Sequence, residues 1–181
     1  MSEQLPNVDI WMTHPNLFQA PKFSLPAGYS MRFYRKGDIP VWVEIQQSAD
    51  RFFEATSATF ARSMPGETSL VSERVMFLLN AKSREVGTIT AWQSSFLTTE
   101  LIGQVHWVAI AAEVQGQGLA KPMLSAVCQR MIELGHTKAC LSTNTRRIPA
   151  LNLYLKFGFK PFFQNEIEHQ AWEKIKPKLK Y

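Results

Sequence analysis

The sequence predicts a mixed α/β fold, a largely antiparallel central sheet with flanking helices. Three observations lead there. Strand-like runs at 75–80, 86–93 and 102–111 follow one another with short connections, and strands joined this way pair antiparallel. Over 119–134 the apolar residues switch to helical spacing, with Ala120, Met123, Leu124, Val127, Met131 and Leu134 on one stripe. Strand and helix then alternate, which gives parallel strands with right-handed crossovers.

Pro6, Pro15, Pro21 and Pro26 punctuate residues 1–28, and proline works against long regular elements. Trp11, Leu17, Phe18 and Phe23 lie between them, so this stretch reads as an irregular N-terminal extension packed on one domain, residues 29–181. Residues 29–35 alternate as a first strand. Asp38 suits an N-cap, and Trp42, Ile45, Ala49 and Phe52 follow at helical spacing. A second helical stretch over 55–63 ends at Met64-Pro65-Gly66, strong turn chemistry. Lys82, Ser83 and Arg84 suit a hairpin loop between the first two runs of the meander. Gly135 closes the long helix, and 138–144 reads as a strand. Pro149 fits a first helical turn, Ala150, Leu151, Tyr154 and Leu155 form its stripe, and Gly158 stops it. A last strand at 159–163 and a helix at 167–175, ended by Pro177, complete the chain.

A chain of 181 residues with 45% hydrophobic and 19% charged residues has ordinary globular composition, without repeat or low-complexity tract. The net charge of +5 could draw in anions. Its densest cluster, Lys174, Lys176, Lys178 and Lys180, reads as a solvated face or tail, and no nucleic-acid partner is expected. Cys128 and Cys140 lie in apolar runs without metal-ligand spacing; they read as small buried hydrophobes, and no metal is expected. Neither a signal peptide nor a bilayer-spanning run is found, so a cytoplasmic protein without a membrane partner is expected.

The most informative stretch is Ile110-Ala111-Ala112-Glu113-Val114-Gln115-Gly116-Gln117-Gly118-Leu119-Ala120. A strand leads in and a long helix leads out. Gly116 and Gly118 allow positive φ, and the helix N-terminus adds unpaired amides and partial positive charge. Together they make a nest suited to a pyrophosphate, although a tight turn without ligand gives the same pattern. A phosphate-binding GxxxxGK[ST] loop is absent, and a GxGxxG dinucleotide pattern fails because Lys121 takes its third position.

Gln115-Gly116-Gln117-Gly118-Leu119-Ala120 resembles the [QR]-x-x-G-x-[GA] acyl-CoA loop of the GNAT superfamily of N-acyltransferases. Ala150-Leu151-Asn152-Leu153-Tyr154 with Lys156-Phe157-Gly158-Phe159 resembles that family's A-x-x-L-Y-x-K-x-G-F signature, one strand and one helix further on. The resemblance covers about residues 29–163. It implies a sheet whose fourth and fifth strands splay apart to take acetyl-CoA as co-substrate. It implies backbone contacts from Val108 and Ile110 to pantetheine, amides of Gln115, Gly116, Gln117, Gly118, Leu119 and Ala120 on the pyrophosphate, and Asn144 on the pantetheine or adenylate portion. It implies Tyr154 as the acid that protonates the leaving thiolate. A phenol, with a pKa of about 10, carries a suitable proton, and a Tyr packed on the helix stripe is the plainer reading. His106 is a candidate base: on a regular strand it shares a face with Val108 and Ile110. A structural histidine fits the same position. Gln115 replaces the commoner Arg, and Arg147 stands where the family often has Asn; Arg146 and Arg147 could contact phosphate or be solvated.

The implied reaction is direct attack of a primary amine on the thioester through a tetrahedral intermediate. Residues 39–72 and 93–101, with Trp42, Phe52, Phe53, Phe60 and Trp92, are expected around the acceptor. A small-molecule amine is the expected partner. A peptide or protein N-acetyltransferase and a non-catalytic acyl-CoA-binding module are the alternatives, and a homodimer is allowed.

Overall fold

The computed structural model describes residues 5–49 and 54–180. Within them, seven strands form one open sheet: β1 (Asp9–His14), β2 (Ser30–Phe33), β3 (Val75–Leu79), β4 (Glu85–Ser94), β5 (Ile102–Ile110), β6 (Ala139–Asn144) and β7 (Lys160–Phe162). They lie side by side as β2-β3-β4-β5-β6-β1-β7. The helices are α1 (Ile39–Ala49), α2 (Ser57–Ser63), α3 (Thr68–Ser72), α4 (Ala120–Glu133), α5 (Ile148–Lys156) and α6 (Glu166–Ile175).

The meander from β3 to β5 is antiparallel, as the short connections predict, and β2, joined to β3 through α1, α2 and α3, is antiparallel to β3 as well. The β5–α4–β6 unit gives the expected parallel pair. Its ladder is short: Gly103 pairs with Ala139 and Gln104 with Cys140, while β5 runs on to Ile110 and β6 to Asn144. Past Gln104 the two central strands part.

The largest correction concerns residues 1–28, expected to be irregular. Asp9–His14 is a strand between β6 and β7, antiparallel to both. Ile10, Met12 and His14 are buried and alternate with Asp9, Trp11 and Thr13. Pro6 and Pro15 bound this alternation instead of interrupting it, so the proline count misled. For the same reason β6 and β7 run parallel but are not neighbours. The short α3 was not expected either. The predicted helical position Phe52 lies outside the described residues. The Asp38 carbonyl opens α1 by accepting from the Trp42 amide (2.9 Å), but its carboxylate turns back onto Arg32 (2.6 and 3.0 Å) and the Arg35 amide (2.6 Å).

Two apolar cores sandwich the sheet. On one face Ile10, Met12, Leu78, Ile89, Val105 and Leu141 pack under Met123, Leu124, Val127 and Met131 of α4, Leu151 of α5 and Trp172 of α6. On the other, Phe77, Trp92 and Ala109 pack with Trp42 and Ile45 of α1 and Phe60 of α2. Core packing thus absorbs Trp42, Phe60 and Trp92, three of the aromatic residues expected around an acceptor.

Candidate active site

The sequence pattern that makes β5 a strand also hides an irregularity. Thr88 of β4 pairs with Ala109, but Thr90 pairs with His106. Trp107 and Val108 therefore face Ile89 alone, a β-bulge, and Trp107 sits at φ 48°. The Trp42 and Phe60 rings hold it there: Trp42 lies edge-on to both Trp107 and Phe60, each at 5.1 Å, and the Gln46 side-chain amide donates to the Trp107 carbonyl (3.2 Å). The bulge reverses the alternation of the strand. Val108 and Ile110 pack against the α4 core, whereas His106 faces the α2 side beside the Ser63 backbone. The expectation that His106 shares a face with Val108 and Ile110 is thus corrected.

Ala109 pairs with Thr88 and the Ala111 amide donates to Val86 (2.8 Å). Ladder alternation then turns the backbone groups of Val108 and Ile110 away from β4, toward the opening between β5 and β6. The Ile110 carbonyl accepts from the Gln115 side-chain amide (2.8 Å), which ties the glycine loop to the strand end.

Gln115, Gly116, Gln117 and Gly118 are exposed, and the two glycines have φ of 78° and 76°. A Cβ at either would meet nothing within 4 Å, so one side of the loop is open. Among the described residues the amides of Gly116, Gln117, Gly118, Leu119 and Ala120 have no acceptor, and no side chain caps α4. This donor set fits a pyrophosphate. Leu119 (1% exposed) anchors the loop in the core. One contributor was missed from the sequence: the Tyr29 hydroxyl donates to Gln117 Oε1 (2.8 Å) and fixes the middle of the loop. A lone tyrosine at the start of a strand gives no signal of such a contact.

Tyr154 lies on the buried face of α5, 7% exposed, edge-on to Phe159 (6.1 Å). Its hydroxyl has no hydrogen-bond partner among the described residues. Burial pushes the phenol up to about 12, against the opposing pull of the Arg147 charge. Tyr154 packs with the α4-side core, and His106 stands on the opposite face of the sheet. Burial lowers the His106 imidazole to about 4, only partly offset by its hydrogen bond to the Ser63 backbone, so it is neutral at neutral pH. Gln104 Nε2 stands 3.5 Å from its Nδ1.

Asn144 is otherwise engaged. Its Nδ2 donates to Asn7 Oδ1 (3.0 Å) and Asp9 Oδ1 (2.9 Å), and its Oδ1 accepts from the Arg146 amide (3.0 Å). Both side-chain hydrogens are spent on fastening β1 to β6, which leaves none for a bound cofactor. Glu113 takes part in an exposed ion pair with Arg84 (3.6 Å). Among the described residues no His, Cys, Asp or Glu cluster could hold a metal, and no helix is long and apolar enough to cross a membrane.

An open sheet that parts between two parallel central strands, with a glycine-rich anion nest at the head of the helix joining them, is the fold of the acyl-CoA N-acyltransferases. The acetyltransferase (GNAT) domain family matches residues 72–161. The chain belongs to the GNAT superfamily. It is 36% identical over 76 residues to a mycothiol acetyltransferase of Corynebacterium aurimucosum, covering 42% of this chain and 24% of that protein. It is 27% identical over 159 residues to a mycothiol acetyltransferase of Pseudarthrobacter chlorophenolicus, covering 83% and 49%. The chain thus spans between a quarter and a half of the length of these relatives. Its fold is similar to that of a GCN5-related N-acetyltransferase from Sphaerobacter thermophilus, with a TM-score of 0.70 at 21% identity over 88% of this chain and 50% of that one.

Proposed function

We propose that the protein is an acetyl-CoA-dependent N-acetyltransferase that acts on a small primary amine. The observation that carries this reading is the opening between β5 and β6, edged by the backbone of Val108 and Ile110 and leading to the unpaired amides of residues 116–120. Acetyl-CoA supplies an activated acyl thioester. The loop amides hold its pyrophosphate, and the Val108 and Ile110 backbone groups orient the pantetheine.

Tyr154 and His106 address the reaction from opposite faces of the sheet. A phenol near 12 is a weaker acid than an ordinary thiol of about 8.5, so Tyr154 acts first by donating a hydrogen bond to the departing sulfur. An imidazole near 4 does not strip a free ammonium ion. His106 instead accepts a hydrogen bond from the neutral amine, and takes its proton once the forming N–C bond makes that nitrogen acidic. The names of the two mycothiol acetyltransferases favour a small-molecule acceptor.

The test is calorimetric titration with acetyl-CoA, CoA and NADH, followed by free-thiol release with primary amines. Binding of the CoA species alone, with amine-dependent thiol release, is the expected result. Binding without release for any amine would leave an acyl-CoA-binding module, and no CoA binding would overturn the reading.

A further inference from the structure

One row of the sheet connects the parted strands to an aromatic surface. Gln104 of β5, Cys140 of β6 and Thr13 of β1 are paired across three neighbouring strands. Two residues further along each strand, on the same face, lie His106, Ser142 and Trp11; Trp11 pairs in turn with Phe162 of β7. Because β5 and β6 stop pairing after Gln104, the opening begins in this very row, between His106 and Ser142. Trp11 is level with His106, two strands away, on the order of 10 Å by ordinary strand spacing and more across a parted pair.

On this face α1 packs over β4 and β5, and Ser142 and Phe162 beyond them stay exposed. Phe96, from the loop after β4, lies on Trp11 with ring centroids 5.1 Å apart and planes at 30°, and is itself 63% exposed. A phenylalanine held out from a loop onto a partly buried tryptophan leaves apolar ring surface in water, beside Phe162, itself 39% exposed. The carboxylate on the same strand face, Asp9, is already engaged by Asn144 (2.9 Å). Lys160, paired with Thr13 and two residues from Phe162 on the same face, puts a cation at the edge of this surface, which is therefore apolar with a basic rim rather than acidic, unsuited to a polyamine and suited to a ring.

We propose that Trp11, Phe96 and Phe162 form the acceptor-recognition surface, which takes a primary amine carried on an aromatic or broad apolar body and presents its nitrogen to the opening beside His106. This rests on the acetyltransferase reading. It moves acceptor recognition away from the buried Trp42, Phe60 and Trp92 and onto the N-terminal strand. Trp11 and Phe96 are specificity residues here, with no part in the bond-making step.

The experiment compares 2-phenylethylamine with ethanolamine, by thiol release at saturating acetyl-CoA and by calorimetry in the presence of CoA, for the native protein, Trp11→Ala and Phe96→Ala. Phe96 lies in an exposed loop, so its variant stays informative if the change in β1 harms folding. The native protein should favour 2-phenylethylamine by roughly tenfold in kcat/KM, and Phe96→Ala should raise its KM about fivefold. The KM values for ethanolamine and acetyl-CoA should not move. Equal use of both amines, or variants that shift both alike, would overturn the aromatic surface while thiol release upholds the acetyltransferase. Calorimetric binding of 2-phenylethylamine that Phe96→Ala abolishes, without turnover of either amine, would support the surface and count against the catalytic reading. No binding and no turnover of 2-phenylethylamine overturns the surface.

Discussion

His106 and Val108, two residues apart on β5, face opposite sides of the sheet because Trp107 between them bulges out of the ladder at φ 48°. A regular strand would put both on one side. The reversal lets one short segment serve two purposes: its side chain at 106 faces α2, while its backbone at 108 and 110 edges the opening to β6.

That arrangement makes the pH dependence of His106 a stability effect. Its folded pKa of about 4 lies below the ordinary value of 6.5, so the unfolded chain binds the proton more tightly. The stabilisation is full above pH 6.5 and is lost as pH falls toward 4, on the order of 3 kcal/mol. Urea denaturation of the native protein and His106→Gln at pH 7.5 and 4.5 should show a smaller pH-dependent loss in the variant. Equal losses would mean that the imidazole is not held neutral by burial.

Tyr154→Phe removes a hydroxyl that has no partner among the described residues, so the variant should match the native Tm. If the phenol donates to the leaving sulfur, kcat should fall about a hundredfold at unchanged CoA affinity. Thiol-release kinetics together with calorimetry separate the two quantities. A kcat kept within twofold, for every amine accepted, would leave Tyr154 as a packing residue.

Much of this fold was readable from periodicity and punctuation, and the reasons are local. The α4 stripe from Met123 to Met131 is buried as its spacing predicts, and Gly135 (φ 88°) ends that helix. The glycine loop was legible because positive φ at Gly116 and Gly118 is a backbone demand that few other residues meet. β1 was not legible, since six alternating residues between prolines resemble a loop until a partner strand is supplied. The bulge at Trp107 was hidden because it depends on how Trp42, Phe60 and Gln46 pack against it, which no window of β5 records. The commitment of Asn144 to Asn7 and Asp9 is likewise a contact across more than 130 positions.

Gly118→Val tests the nest. The φ of 76° strains a β-branched residue by about 1–2 kcal/mol, yet the added Cβ meets nothing within 4 Å, so the chain still folds. The variant should lose the thermal protection conferred by CoA on the native protein, because the loop amides can no longer converge on the pyrophosphate. Undiminished protection in a thermal-shift titration would place the pyrophosphate elsewhere.

Gly158 and His14 test whether β1 is a structural member of the sheet. The His14 ring is buried, its Nε2–H donates to the Phe157 carbonyl (2.8 Å) and its Nδ1 accepts from the Asn16 amide (3.2 Å). Gly158 sits at φ 92°, and a Cβ there would lie 2.9 Å from His14 Nε2. Gly158→Ala therefore both strains the turn before β7 and pushes on β1; a loss of about 2–4 kcal/mol is expected by urea denaturation. His14→Ala removes the obstacle along with its own hydrogen bonds. The double variant should accordingly lose less than the sum of the single losses, by about 1 kcal/mol or more. Strict additivity would mean that β1 yields freely to the intruding methyl, and that the strand is only loosely docked beside β7.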